Sequence, residues 1–164
     1  METGVSVHDV TFVALDFETT GLYPERDSII EFGAVRFQGR DLLGSFEALV
    51  TPATEYTAEA MAISGITAEM LAGKPGIERV MPDFLTFLGD AVLVAHNAPF
   101  DVGFLRATLQ RLGLPALANK IVDTQVLSQK ALPRQKSYSL QNLARALSIE
   151  SGNAHRALDD ARTC

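Results

Sequence analysis

Residues 12–22 constrain the fold most, because this run begins as an apolar strand and ends in two carboxylates and a glycine turn. Side chains alternate between the two faces of a strand, so Asp16 and Glu18 are expected on one face, with their backbones about 7 Å apart. Like charges at this distance raise each other's pKa unless a cation compensates. Carboxylate oxygens suit Mg²⁺ or Mn²⁺, and the pair therefore predicts a metal site, although such a pair alone is more often a solvent-facing strand end.

The rest of the chain predicts a mixed sheet with helices on its faces. Strands at 28–37 and 42–50 follow the first strand after short polar turns, which indicates an antiparallel meander. Two later strands, at 92–95 and 117–122, alternate with helices, as parallel strands usually do. The expected fold class is α/β, with a mixed five-stranded sheet that combines an antiparallel meander of three strands with two parallel strands and is flanked by helices.

Local signals locate the helices. Thr57 and Thr67 can each cap a short helix. Apolar residues at helical spacing predict a helix over residues 77–88, and Pro82 indicates that its regular part begins nearer Arg79. Further helices are predicted at three places: from Asn97 or Ala98, from Asp123–Thr124 to near Leu132, and over residues 139–147.

Length and composition indicate one well-filled core, so residues 1–164 are expected to form a single domain. No apolar run approaches the roughly 18 residues of a membrane span, and residues 1–10 lack the basic start and apolar stretch of a signal peptide. The single cysteine, Cys164, cannot form an internal disulfide. These features predict a soluble, cytoplasmic protein without a membrane partner.

The charge distribution indicates a polyanionic partner, although the net charge of the chain is −6. Residues 102–149 contain seven basic residues and one acid, Asp123. Nucleic-acid backbones are bound mainly by Lys and Arg side chains. The segment is therefore expected to face nucleic acid, with the alternative that some of these residues form solvated helix faces.

A third acidic cluster lies in residues 155–162. Asp159 is three residues from both Arg156 and Arg162, which predicts a surface ion-pair arrangement. Asp160 is predicted to be the inward acid, because it shares its side of the helix with three small residues: Ala157, Ala161 and Cys164. Five helical residues place His155 and Asp160 roughly 140° apart around the axis, so both can serve one site only if His155 lies on the preceding loop.

Three segments together resemble, in order and spacing, the motifs of the DEDDh 3′–5′ exonucleases. They are residues 15–22 (LDFETTGL), 96–101 (HNAPFD) and 155–160 (HRALDD). The likeness covers nearly the whole chain and is nearest to the proofreading (epsilon) subunits of bacterial DNA polymerase III. It implies a ribonuclease H-like fold and a catalytic group with His155 as general base and four metal ligands: Asp16, Glu18, Asp101 and Asp160.

The resemblance also implies contacts with the terminal nucleotide, with Leu22 as a wedge near the last base. The substrate-binding residues that the resemblance implies are Phe17, Thr19, Thr20, Gly21, Leu22, Asn97 and Phe104. His96 is expected to have a structural role. Two departures stand out: Ser64 occupies a position where polymerase-associated members usually have a histidine, and the chain ends at Cys164, where relatives usually continue the last helix. The second departure indicates a truncated last helix or a domain of a larger protein.

Four carboxylates can hold two divalent ions, Mg²⁺ or Mn²⁺, roughly 4 Å apart, and a neutral histidine can take a proton from water. We therefore hypothesise a metal-dependent exonuclease that hydrolyses phosphodiester bonds at 3′ ends of single-stranded DNA and releases nucleoside 5′-monophosphates. Such an enzyme would act in proofreading or repair, with a polymerase or another replication or repair protein as partner. Two alternatives are a 3′–5′ exoribonuclease on short RNA and a non-catalytic adaptor of a polymerase or helicase assembly.

Overall fold

A five-stranded sheet with strand order β3-β2-β1-β4-β5 forms the centre of the computed structural model, which describes residue 4 and residues 6–164. The strands are β1 (Thr11–Thr19), β2 (Ile29–Gln38), β3 (Asp41–Leu49), β4 (Val92–Ala95) and β5 (Ile121–Asp123). The first three strands pair antiparallel, and β4 and β5 add parallel to β1 and to each other. The predicted mixed sheet, a three-stranded meander plus two parallel strands, is confirmed.

Seven α-helices flank this sheet in the described part of the chain. They are α1 (Ala58–Ser64), α2 (Ala68–Leu71), α3 (Ile77–Leu88), α4 (Ala98–Arg111), α5 (Thr124–Ala131), α6 (Leu140–Ala146) and α7 (Ala157–Thr163). The side chains of Thr57 and Thr67 accept hydrogen bonds from the first turns of α1 and α2, as predicted for N-caps. Asp123 caps α5 by accepting from the N–H groups of Gln125 and Val126.

The start of α3 differs from the prediction. The helix begins at Ile77, so Pro82 lies in its second turn rather than its first. Because proline has no N–H group, Pro82 cannot donate to the carbonyl of Glu78. Pro82 is on the exposed side of the helix, where water can solvate that carbonyl, and the apolar stripe on the other side still packs into the core.

Strand β5 is shorter than predicted. Residues 117–120 are predicted in the strand, but β5 covers only Ile121–Asp123, and of the residues before it the carbonyl of Lys120 accepts from the N–H of Leu93 in β4. Before the strand, the amide side chain of Asn119 donates to the carbonyls of Gly89 and Ala91. These side-chain bonds replace strand pairing at the end of the sheet.

The two faces of β1 have different partners. Val13, Leu15 and Phe17 lie in the main core together with buried residues of α3 and α4. Ala14 lies on the opposite face, near Ala161 and Cys164 of α7. The alternation expected from the sequence therefore directs the apolar face of β1 to the core and its acidic face towards α7.

Helix α7 crosses β2 at very close range. A Cβ atom added at Gly33 would overlap the carbonyl group of Ala157 and the nitrogen of Leu158. Gly33 pairs directly with Asp16 in the β1–β2 ladder. The absence of a side chain at Gly33 thus lets the start of α7 lie on the sheet beside the acids of β1.

No helix within the described residues is long and apolar enough to cross a membrane. The prediction that residues 1–10 lack a signal peptide concerns, in part, residues 1–3 and 5, which lie outside the described part of the chain.

Candidate active site

Asp16 and Glu18 lie near the carboxyl end of β1, the central strand of the sheet. Their direct partners across the β1–β2 ladder are Gly33 and Glu31. Residues opposite each other in an antiparallel pair point to the same face. The face that carries Asp16 and Glu18 therefore also carries the Glu31 carboxylate, and Gly33 leaves room there for α7.

Asp101 joins these acids from the first turn of α4. The helix begins after Asn97, which has a left-handed backbone with φ 61°, and Pro99 lies in the first turn as predicted. Asp101 is buried, and its Oδ1 accepts a hydrogen bond of 2.9 Å from the main-chain N–H of Phe17. This bond fixes the Asp101 carboxylate against the main chain of β1 at the residue between Asp16 and Glu18.

The two neighbouring acids of α7 differ: Asp160 is buried, whereas the side chain of Asp159 lies outside the site. The Asp160 carboxylate accepts from the main-chain N–H of His155 at 3.0 Å and from Nε2 of Gln141 at 3.1 Å. Asp159 instead accepts from the N–H of Asn153 and lies 3.8 Å from Arg162. The predicted inward and outward directions of the two acids agree with this geometry.

His155 lies on the loop before α7, with a left-handed backbone of φ 63° and an exposed side chain. Glu18, His155 and Asp160 each have one atom that could bind a metal ion, and these three atoms lie within 4.8 Å of one another. The sequence required a loop position for His155 if it was to share a site with Asp160, and the structure places it there.

Like charges dominate the electrostatics of this group. Burial, followed by the charges of Asp101 and Glu18, raises the pKa of Asp16 well above its ordinary value. Burial and the charge of Glu31 raise the pKa of Glu18 from 4.5 to about 8. Burial also raises the pKa values of Asp101 and Asp160, although the hydrogen bonds from Phe17 and His155 oppose these two shifts.

The charges of Asp101, Glu18 and Asp160 all act on Asp16, so the four carboxylates lie close enough to repel one another. A bound cation would remove this repulsion, and the donor set, which consists of carboxylate oxygens beside one imidazole, suits hard divalent ions. The residues present therefore fit a divalent metal centre.

Arg156 differs from its predicted role. It was expected to pair with Asp159, but its guanidinium binds the buried carboxylate of Glu31, with Nη2 at 2.7 Å and Nε at 3.1 Å from Oε1. Nη2 also lies 3.6 Å from Oε1 of Glu47. The sequence analysis did not single out Glu31, because it lies in an otherwise apolar strand, 125 residues from its partner.

A cleft of about 320 Å³ opens beside Glu18, between the turn after β1 and helix α1. Residues 17–22 line one side, and Ala60, Ile63 and Ser64 line the other. Leu22 and Ile63 are 71% and 67% exposed, so two apolar side chains flank the mouth of the cleft. Phe100, from α4, also lines it and was missed by the sequence analysis.

Three of the predicted substrate residues are placed differently. The ring of Phe104 is 0% exposed and packs in the core against Phe100, so it is not available for stacking on a nucleotide. The ring of Phe17 is also buried in the core, and only its main chain faces the site. Asn97 lies at the start of α4, where its N–H donates to Asp123, and it is not one of the residues that line the cleft.

The hydroxyl groups of Thr19 and Thr20 are engaged in the turn itself. Thr19 Oγ1 donates to the carbonyl of Gly21 at 2.6 Å, and Thr20 Oγ1 accepts from the N–H of Ser28 at 2.9 Å. Gly21 packs against the Asp27 carboxylate so closely that an added Cβ would overlap it. The hydroxyl groups of Thr19 and Thr20 are therefore used within the turn, and these residues, with Gly21, shape the cleft wall through their main chains.

Ser64 is buried in the opposite wall of the cleft. Its hydroxyl is hydrogen-bonded with the Tyr56 hydroxyl at 2.7 Å and accepts from the N–H of Ile66 at 3.1 Å. At the position where the resembled family usually has a histidine, this chain thus has a small residue that stabilises the end of α1. The Ser64 hydroxyl is thus already hydrogen-bonded within the protein, although the residue lines the cleft.

Two other predictions concern residues around the site. His96 has structural contacts, with Nδ1 2.9 Å from Thr124 Oγ1 and Nε2 2.8 Å from the carbonyl of Tyr138.

Within the basic segment, residues 102–149, Arg111 binds the carbonyl of Pro24 at 2.6 Å and therefore stabilises the fold. The remaining basic residues of this segment keep their predicted role as candidates for backbone contacts.

Solved structures of exonucleases share this fold. The zinc-bound form of the Escherichia coli ExoI–ssDNA complex superposes with a TM-score of 0.83 at 23% identity, over 94% of this chain and 38% of the other. Exonuclease X in complex with 5′ overhanging duplex DNA has a TM-score of 0.72 at 30% identity, over 94% and 85% of the two chains. The protein thus has the ribonuclease H-like fold of these exonucleases, as predicted.

The chain belongs to the exonuclease family whose model, RNase_T, matches residues 13–164. A DNA polymerase III PolC-type protein of Thermotoga maritima is 46% identical over 94% of this chain, which corresponds to 11% of that relative. The DNA polymerase III subunit epsilon of Treponema pallidum is 43% identical over 97% of this chain and 75% of its own length. The predicted membership of an exonuclease family, with likeness to polymerase III proofreading subunits, is confirmed; the chain spans about a tenth of the PolC-type relatives.

Proposed function

We propose that residues 1–164 act as a single exonuclease domain that removes nucleotides from 3′ ends of single-stranded DNA. The observation that carries this proposal is a cluster of Glu18, His155 and Asp160 whose ligating atoms lie within 4.8 Å of one another, with Asp16 and Asp101 close enough for their charges to interact and with Glu18 lining an open cleft. These residues come from β1, α4 and the α7 segment, so the fold has to bring them together. A non-catalytic adaptor would not need to hold four mutually repelling carboxylates in this way.

The four carboxylates are proposed to bind two divalent cations, Mg²⁺ or Mn²⁺. When bound, such ions activate water and stabilise the oxygen that leaves in an in-line displacement at phosphorus. Asp101 is held towards β1 by the Phe17 N–H, and Asp160 by Gln141 and the His155 N–H, so two of the four carboxylates are oriented by the protein. This orientation reduces the reorganisation needed before hydrolysis.

His155 is proposed to be the general base. Its imidazole lies on an exposed loop next to Glu18 and Asp160, where it can take a proton from attacking water and release it to solvent. Because its main chain is bonded to Asp160, the ring lies close to the ligands without needing to be one of them.

The cleft is proposed to hold the terminal nucleotide of the substrate. Glu18 is part of the wall formed by residues 17–22, so a nucleotide bound in the cleft would lie next to one of the candidate metal ligands. Leu22 and Ile63, exposed at the mouth, can contact the last bases. Polymerase III relatives and the DNA complex of Exonuclease X support DNA as the substrate and a replication or repair protein as partner.

The proposal is tested by digestion of matched DNA and RNA oligonucleotides. Each is prepared single-stranded with a label at its 5′ end and incubated with the protein and Mg²⁺, Mn²⁺ or EDTA. We expect a ladder that shortens from the 3′ end, nucleoside 5′-monophosphates as products, DNA cleaved faster than RNA, and no cleavage in EDTA. Faster cleavage of RNA would favour the exoribonuclease alternative, and equal degradation by an Asp16→Ala variant would contradict the proposal.

A further inference from the structure

Glu31 is a fully buried carboxylate beside the candidate active site. It lies directly opposite Glu18 in the β1–β2 ladder, and its side chain is 0% exposed. A buried carboxylate is costly unless it is paired with a cation and hydrogen-bonded. Glu31 has both kinds of partner: the guanidinium of Arg156 and the main-chain N–H of Ala157, at 3.0 Å from Oε2.

These two donors are the residues at which α7 begins. Ala157 is the first residue of the helix, and its N–H is one of the groups that a helix start leaves without an internal partner. The planar fork of Arg156 adds two bonds to Oε1, a geometry that a lysine could not reproduce. Glu31 therefore ties the start of α7 to the middle of the sheet.

The loop that carries His155 depends on this tie. In the described part of the chain, the hydrogen bonds from residues 150–156 to the sheet are all made by Arg156, to Glu31 with a further charge contact to Glu47. The bonds from the His155 N–H to Asp160 and from the Asn153 N–H to Asp159 join the loop to α7 rather than to the sheet. Among the hydrogen bonds of the described residues, none joins His155 to β1, although its ring lies close to Glu18 of that strand.

We propose that Glu31 and Arg156 are a positioning pair that holds His155 and Asp160 in place against Glu18 during hydrolysis. This proposal rests on the proposed function, in which His155 and Asp160 take part in the reaction. Glu31 is distinct from the four candidate ligands, because both of its oxygens are occupied by Arg156 and Ala157.

The test compares Arg156→Gln with Arg162→Gln, since Arg156 caps α7 and Arg162 lies in its last turn, where its ion pair among the described residues is with Asp159. Steady-state rates are measured on single-stranded DNA, well below the melting temperature of each variant. We expect Arg156→Gln to lower kcat by roughly 10–100-fold, the usual cost of removing a group that orients active-site residues. KM should change by less than about threefold, because the nucleotide cleft is untouched, and Arg162→Gln should leave both constants nearly unchanged.

Two further variants separate positioning from stability. Arg156→Lys keeps the charge without the fork and is expected to recover part of kcat, and Glu31→Gln is expected to lose kcat as Arg156→Gln does. Equal kcat values for Arg156→Gln, Arg156→Lys and wild type would overturn the proposal. If Arg156→Gln does not fold, Arg156→Lys and Glu31→Gln decide the question.

A readout independent of activity is the NMR order parameter of the His155 amide. We expect it to fall in Arg156→Gln and to keep its wild-type value in Arg162→Gln. An unchanged order parameter in Arg156→Gln would overturn the positioning role. If the wild-type protein does not shorten DNA, the proposed function fails by itself, and this measurement still shows whether the pair holds the His155 loop.

Discussion

The main-chain N–H of His155 donates a hydrogen bond to Oδ2 of Asp160 at 3.0 Å. This bond links the proposed base and a proposed metal ligand across the boundary between loop and helix. It places Asp160, rather than the neighbouring Asp159, in the site, because Asp159 is bound to Asn153 and Arg162 outside it. The two neighbouring acids therefore provide a matched pair of variants.

We expect Asp160→Asn to abolish metal-dependent turnover and Asp159→Asn to leave it within a few-fold of wild type. Asparagine keeps the size and the hydrogen bonding of the side chain but removes the charge that binds the cation. Steady-state rates and metal titrations on both variants check this. If Asp159→Asn were the inactive variant, the assignment of the fourth ligand would be wrong.

His155→Ala is expected to lower kcat by roughly 10²–10⁴ while metal binding stays nearly intact, as for a general base that is not a ligand. Isothermal titration with Mn²⁺ and single-turnover rates separate the two effects. A His155→Ala variant that no longer binds Mn²⁺ would instead identify the imidazole as a ligand, which its position near Glu18 and Asp160 would allow.

The metal-free protein is expected to lose stability as pH rises from about 4.5 to 8. Burial and the charge of Glu31 raise the pKa of Glu18 from 4.5 to about 8, so in this range the folded state binds more protons than the unfolded state. The free energy of unfolding therefore falls with rising pH. Urea unfolding at several pH values checks this: Glu18→Gln should flatten the dependence, whereas Glu25→Gln, at an exposed position, should not.

Mn²⁺ is expected to raise the melting temperature of the wild-type protein. A ligand at about 100 times its Kd, bound only by the folded state, adds about 2.7 kcal/mol to the free energy of unfolding. Asp16→Ala should melt higher than wild type without metal, because it relieves repulsion, and should respond little to Mn²⁺. Melting curves that are indifferent to millimolar Mn²⁺ in the wild type would count against the metal centre.

Gly33→Ala is expected to lower both stability and activity. The added Cβ would overlap the backbone of Ala157, so α7 and with it Asp160 must shift, at a cost of about 1–3 kcal/mol. Gly44→Ala, in β3, is the matched control, since its nearest neighbour is the Phe87 ring at 3.7 Å. Denaturation and exonuclease rates of the two variants should differ clearly; equal values would mean that α7 tolerates displacement from the sheet.

Arg134→Ala combined with Lys136→Ala is expected to weaken DNA binding equally for all base sequences. These residues lie in the basic segment 102–149, shortly before α6, whose Gln141 binds Asp160. Each lost phosphate contact should reduce the slope of log K against log salt by about 0.7 for single strands. Fluorescence anisotropy at several salt concentrations measures this, with Lys74→Ala and Arg79→Ala together as control. An unchanged slope would assign Arg134 and Lys136 to solvated surface.

Periodicity and spacing in the sequence determined how side chains are directed on each element. Alternation along β1 separated its acids from its core residues, and helical spacing distinguished Asp160 from Asp159. Threonine caps and the position of Asp123 located helix starts to within a residue. These predictions succeed because strand alternation, helical rotation and capping depend only on neighbours in the chain.

Tertiary structure alone decided which elements meet, and with that the use of several side chains. Arg156 has a nearby acid in sequence, Asp159, but binds Glu31, since α7 lies on β2 where Gly33 leaves room. Phe104, predicted at the substrate, is buried because α4 packs that face on the core, and Phe100 lines the cleft instead. Spacing sets the direction of a side chain from its own helix or strand, whereas its partner depends on contacts between elements that are far apart in the chain.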